Sequence, residues 1–495
     1  MRLAVPRRAL AAAIALALAG GGLSGCDRSD AGAVRVTVIG ESPSMADPAA
    51  GELSAPQSVL LASVAQGLVR FDARGQIEPG LAERWNVTDD GLSYIFRLQP
   101  AEWPSGGKVT AHQVARLLRR QLASRSRNPL KDSLGAVAEI VPMTERVLEI
   151  RLRAPRPNLL RLLAQPEMAI IRDGEGTGPF RIGSDARAPA FILERTVSLP
   201  DDEESRREQV VLAAAAAPDA VRAFLAGKTD LLLGGTFADL PYARAEDMPR
   251  GALRFDPASG LFGLVPARAD GPAADVELRR LLAQAIDRQV LVDAFDVPGL
   301  LPRATVLEPG LDGLADPSPP PWATVPIAER RAELAAAANA QFGDLERPVV
   351  AIALPDAPGA ELMLNRLASD WAVLGIKVER AGPDRPADLQ LIDSVAPSTS
   401  PAWYLRRFRC GQTPVCSEEM NPLLDGARSA LAPAERYTLL AQAAALVDDQ
   451  QLFIALAAPI RWSLVSDRVP GFAPNRFARH TLAGLGERLN RERAE

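Results

Sequence analysis

Residues 66–120 read QGLVRFDARGQIEPGLAERWNVTDDGLSYIFRLQPAEWPSGGKVTAHQVARLLRR, and the local patterns within them decide the fold class. Gln66–Phe71 predicts a short apolar strand, ended by a polar turn at Asp72–Gly75. Further on, Leu92, Tyr94, Phe96 and Leu98 alternate with Ser93, Arg97 and Gln99, the period of a strand with one buried face. Asp89-Asp90-Gly91 supplies the tight turn before that strand. Thr110 and Gln113 have capping-box spacing, and Val114, Leu117, Leu118 and Leu122 then stack on one helical face. The stretch predicts a β-rich subdomain closed by an amphipathic helix.

The whole chain, at 495 residues, is long enough for two or three domains with sizeable cores. Its 47% hydrophobic and 24% charged content is ordinary for a globular protein. The net charge is -5, and the first 25 residues carry Arg2, Arg7 and Arg8 without an acid, so the remainder sits near -8. That balance argues against a nucleic-acid partner, which needs a basic face. The basic residues are nearly all arginine, which coding bias in a GC-rich genome explains more simply than an arginine-based recognition scheme.

Arg7 and Arg8 precede an apolar run, Ala9–Ala19, too short to span a bilayer as a mature helix. The run leads to Leu23-Ser24-Gly25-Cys26, which resembles the lipobox of bacterial lipoproteins. The resemblance implies a signal peptide over residues 1–25, cleavage before Cys26, acylation of its thiol and amine, and a stable membrane anchor. An ordinary secretory signal with an incidental cysteine is the alternative. Asp27 resembles the inner-membrane retention signal of enteric lipoproteins. With Cys26 lipidated, Cys410 and Cys416 are two thiols in an oxidising compartment, and a local disulfide is expected. A metal site is the rival, but no histidine lies nearby and the spacing fits no usual zinc pattern.

Longer phrases carry a family resemblance. Gln66-Gly67-Leu68-Val69, Pro79, Leu81-Ala82-Glu83, Trp85, Asp89-Asp90-Gly91-Leu92, Tyr94, Phe96 and Thr110-Ala111 fall in an order that resembles the family 5 extracellular solute-binding proteins, the peptide- and nickel-type receptors of ABC importers. Glu41 to Pro48 is similar to that family's opening phrase, and Gly176-Thr177-Gly178-Pro179-Phe180 to its return from the second domain to the first. Asp275–Phe295 resembles the start of its third domain, and Arg461-Trp462 through Pro474 its closing phrase. A phosphate-binding loop at 176–180 is disfavoured, because the Gly-Lys-Ser/Thr ending is absent. The implied fold is an α/β, type II-like periplasmic binding protein: two main lobes with an extra inserted domain, three domains in all. The expected divisions are domain I over 26–60, 174–262 and 467–495, domain II over 61–173, and domain III over 263–466.

Composition offers little chemistry for an enzyme. The two histidines, His112 and His480, stand outside any HExxH, CxxH or triad-like phrase, and no G-x-S-x-G elbow occurs. No catalytic residue, cofactor or metal is expected. Binding by lobe closure, which couples occupancy to shape, is the mechanism that the resemblance implies. The implied partners are a small solute, in the family most often a peptide, and ABC permease and ATPase subunits, for a monomer anchored in the periplasm.

Ligand contacts are expected at Glu41, Ser42, Phe262, Asp393, Ser394, Trp403 and Tyr404. Peptide-binding members anchor the peptide amine on an aspartate; here Pro397 takes its expected place. Asp393 is either a substitute anchor or a strand cap, and Trp403 and Tyr404 are either ligand-stacking or core aromatics. The run Arg406-Arg407-Phe408-Arg409 reads either as a carboxylate receiver or as a solvated helix face, the latter being simpler. A non-peptide or non-transport member of the same fold, an envelope hydrolase and a structural lipoprotein are the other readings.

Overall fold

The computed structural model describes residues 32–183, 190–198, 205–244, 247–343 and 345–487, so Cys26 and its leader lie outside the described residues. The strand Val34–Ile39 sits in the middle of a seven-stranded sheet, paired in parallel with Ser205–Ala215 on one side and Leu231–Thr236 on the other. Val36 and Val38 are buried on one face. Thr37 is buried on the other, its hydroxyl bonded to that of Thr229 at 2.8 Å. Burial on both faces is the situation of a parallel strand covered by helices. The remaining strands, Arg181–Ile182, Phe191–Ser198, Leu253–Asp256 and Arg461–Val465, join antiparallel, so three distant chain segments build this sheet.

Between the first two segments lies a four-stranded antiparallel sheet made of Ala82–Val87, Ser93–Leu98, Val147–Leu152 and Val137–Pro142. Tyr94, Phe96 and Leu98 point to its core, as the alternation predicts. The helix Ala111–Leu122 covers the sheet, with both capping-box bonds between Thr110 and Gln113 formed. Its fully buried face is Ala111, Val114, Ala115, Leu118 and Gln121, while Leu117 and Leu122 sit half-buried at the edge.

Between the second and third segments lies a mixed five-stranded sheet, ordered Lys377–Arg380, Val349–Ala353, Leu389–Val395, Gly260–Pro266, Ile454–Ala457. Backbone pairing moves two of the expected divisions. The cut at 262/263 would fall inside Gly260–Pro266, all of which pairs with Leu389–Val395. Arg461–Val465, expected in the third domain, hydrogen-bonds to both Leu231–Thr236 and Leu253–Asp256 in the seven-stranded sheet.

The return at 176–180 needs its glycines for space rather than for unusual dihedrals. Neither Gly176 nor Gly178 has a positive φ, but a Cβ there would lie 2.4 Å from Ala65 Cβ and 2.5 Å from the Val64 carbonyl carbon. The amides of Gly178 and Phe180 donate to Val64 and Ser63 at 2.9 and 3.0 Å, so the crossover docks against the end of the helix Ala55–Val64. The C-terminal stretch ties the units together: Phe477 stacks on Phe71 at 5.3 Å, and the amide of Asn475 donates to Asp256 at 2.8 Å.

Candidate binding cavity

A cavity of about 1010 Å³ opens where the three sheets meet. Leu53, Ser58, Gly234 and Thr236 come to it from the seven-stranded unit, Ser133, Arg156 and Asn158 from the four-stranded unit, and Gln390 and Ile392 through Val395 from the five-stranded unit. Its rim is bridged by direct hydrogen bonds. Asn158 Nδ2 donates to Ser398 Oγ at 2.9 Å, Arg161 to Thr399 Oγ1 at 2.9 Å, and Gln165 Nε2 to the Pro397 carbonyl at 2.8 Å. Arg156 donates to the Arg428 carbonyl at 2.7 Å. The segment expected to hold an amine-binding aspartate is therefore the strip on which two units meet.

The expected ligand residues divide sharply. Asp393, Ser394 and Trp403 line the cavity. Phe262, 1% exposed, lies instead in the core between two sheets, edge-on to Phe237 at 5.0 Å and to Phe295 at 6.3 Å. Tyr404 is 0% exposed, and its hydroxyl donates to Glu308 at 2.7 Å, so it too is a core residue. Burial raises the Tyr404 hydroxyl pKa strongly, and the neighbouring Glu308 charge adds to it. Glu41 and Ser42 are exposed and outside the lining; Glu52, further along the same loop region, lines it.

Asp393 is committed to an ion pair. Arg461 donates to its carboxylate at 2.7 Å and to its carbonyl at 3.2 Å. Burial pushes the Asp393 carboxyl up, against the pull of Arg461. Ser394 Oγ accepts from Arg407 at 3.2 Å. Trp403 presents an apolar wall beside these polar groups and packs edge-on against Tyr404 at 5.0 Å.

Of the two readings of the arginine run, the solvated face does not hold. Phe408 is buried, Arg406 and Arg407 are half-buried, and all three line the cavity. Arg406 donates across the cleft to Ser133 Oγ and, at 3.3 Å, to the Pro129 carbonyl. Burial, with the neighbouring Arg407 charge, lowers its guanidinium to about 10. Burial likewise brings Arg156 to about 10, with Arg436 and Arg428 contributing repulsion. Both stay protonated at neutral pH.

Cys410 and Cys416 are bonded, with Cα atoms 5.3 Å apart, at the edge of this region. Among the described residues no group of His, Cys, Asp and Glu side chains is arranged to hold a metal, and no helix is long and apolar enough to cross a membrane.

A discontinuous α/β unit carrying two further units around one large polar cavity is the architecture of a type II-like periplasmic binding protein. The chain belongs to the bacterial extracellular solute-binding proteins of family 5, whose middle-region profile matches residues 76–402, more than half of its length. It is similar to the oligopeptide-binding protein OppA of Bacillus subtilis, 22% identical over 286 residues, 51% of this chain and 52% of that one. It is also similar to the probable deoxycholate-binding periplasmic protein YgiS of Escherichia coli, 28% identical over 144 residues, 26% and 27% of the two chains. The chain thus spans about half or less of the length of these two curated relatives. The solved structure of Burkholderia pseudomallei OppA has the same fold, with a TM-score of 0.76, 18% identity, and 92% and 98% of the two chains covered.

Proposed function

We propose that this protein is the substrate-binding lipoprotein of an ABC importer. It captures a small solute by closure of its units around the cavity and delivers it to a membrane permease driven by ATPase subunits. The observation that carries the reading is a cavity of about 1010 Å³ walled by all three sheets and bridged by the hydrogen bonds at Ser398, Thr399 and Pro397. A ligand that touches every wall stabilises the closed form over the open one, and the permease reads that difference. Acylation at Cys26 would hold the protein at the periplasmic face of the inner membrane as a monomer.

Native mass spectrometry of protein purified from its own cells tests this. A bound small solute, released on unfolding, is expected; a protein that leaves its cells empty and binds no solute overturns the reading. Substitution of Cys26 by alanine should move the protein from the membrane to the soluble fraction, with its binding intact.

A second reading of the ligand has its own support. Asp393 is held by Arg461 at 2.7 Å and Pro397 stands at the expected amine anchor, so a peptide amino terminus has no free carboxylate there. A solute other than a conventional peptide fits that arrangement, and a relative's description as a probable deoxycholate-binding protein fits it as well.

A further inference from the structure

Eight arginines and four carboxylates line the cavity of a chain whose overall charge is negative. Three of these arginines have carboxylate partners: Arg461 pairs with Asp393, Arg479 with Glu167, and Arg409 with Asp425. The other five, Arg156, Arg406, Arg407, Arg428 and Arg436, make no ion pair among the described residues. They form two groups. Arg406 and Arg407 are adjacent on the turn Arg406–Phe408. Arg156, Arg428 and Arg436 come from three separate places in the chain, and the charges of Arg436 and Arg428 both act on Arg156.

Their existing partners are neutral. A guanidinium has five N–H donors. Arg156 gives bonds to the Pro155 and Arg428 carbonyls, Arg406 to Ser133 and Pro129, and Arg407 to Ser394 alone. Carboxylates act on the two groups only through space: Glu52 on Arg407, Asp132 on Arg406, Asp312 on Arg436 and Asp425 on Arg428. Arg156 is buried and Arg406, Arg407 and Arg436 are half-buried, with Arg428 exposed at the edge of its group; gathering like charges there is costly unless an opposite charge arrives to complete the set. Arginine's planar fork suits a carboxylate or phosphate, each of which can accept two parallel bonds.

We infer that the captured solute carries at least two oxyanion groups, one received by Arg406 and Arg407 and the other by Arg156, Arg428 and Arg436. This deepens the solute-binding reading and rests on it. Net-cationic solutes are excluded by the same charges.

Titration calorimetry of the full chain tests the assignment with triglutamate, trialanine, trilysine, citrate and pyrophosphate as probes. Triglutamate or citrate should bind at least ~10-fold tighter than trialanine, and trilysine should give no heat. Pyrophosphate binding above citrate would identify phosphate as the oxyanion, and the reverse order carboxylate. Arg407→Gln and Arg156→Gln should each weaken the best anionic probe ~10- to 100-fold, the range for a lost charge-assisted bond. Arg407 has no bond across the cleft, so Arg407→Gln separates ligand loss from loss of fold, which its thermal transition checks. Trialanine or trilysine binding as tightly as triglutamate overturns the inference, as does a co-purified solute with fewer than two acidic groups; the solute-binding reading then still stands. A protein that binds no probe and carries no solute from its cells brings down both.

Discussion

Asp448 sits one residue from the end of the helix Pro433–Asp449, where a negative charge meets the negative end of the helix dipole. Its carboxylate accepts from the Val306 amide at 2.8 Å, but burial, with Asp449 beside it, pushes its pKa up to about 7. Between the ordinary carboxylate range and about 7, the folded group holds a proton that the unfolded group has lost. The folded pKa is the raised one, so Asp448 favours folding at acid pH and weakens it as the pH climbs through that window. Asp448→Asn can keep the Val306 bond without the charge. It should match the parent only at about pH 4 and below, pull ahead of it by pH 5, and melt about 2 °C or more above it at pH 8; a thermal series from pH 4 to pH 8 checks the divergence. The sequence shows Asp448 as one acid among many, because nothing local announces its burial. The same limit explains Trp403 and Tyr404. Both are aromatic and adjacent, but one turn of helix sends Trp403 to the cavity and Tyr404 to Glu308. Pattern alone has no means of choosing between those directions.

At the scale of single elements, the patterns with a local cause were legible. Period-2 alternation gave Ser93–Leu98, and the Thr110–Gln113 pair gave the start of Ala111–Leu122, because strand faces and helix caps depend on neighbours a few residues away. Thr110→Ala should therefore cost about 1 kcal/mol in chemical denaturation with an unchanged slope. Elements buried on both sides were less readable. Gly260–Pro266 is buried along nearly its whole length, so no alternation marked which way Phe262 faces, and the structure puts it in the core. The crossover at 176–180 makes the same point through space-filling. Gly178 is required by the backbone of Val64 and Ala65, more than a hundred residues earlier in the chain. Gly178→Ala should destabilise by about 1–3 kcal/mol through overpacking, and equilibrium unfolding measures it. A neutral result would mean that the return does not dock on the end of Ala55–Val64.

Across the whole molecule, the balance between open and closed forms depends on contacts that no local pattern could reveal. Asn158 and Gln165 meet Ser398 and Pro397 across sequence separations of 240 and 232 residues. These are hydrogen bonds between units, so they exist only while the cleft is shut. Each neutral bond is worth about 1 kcal/mol net, and two together about 2 kcal/mol. A ligand that must close the cleft pays for whatever closure no longer supplies, so its apparent affinity falls with the closed population. The double variant Asn158→Ala/Gln165→Ala should then bind its solute ~30-fold more weakly, since every 1.4 kcal/mol is tenfold. It should also show a larger radius of gyration by small-angle scattering in the unliganded state, converging on the parent at saturating ligand. The loss should appear mainly as faster dissociation, because the bridge acts after the solute has entered. Equal affinities and identical unliganded scattering curves would mean that these bonds follow closure without helping to drive it. The cavity arginines would then carry the energetic link between occupancy and shape.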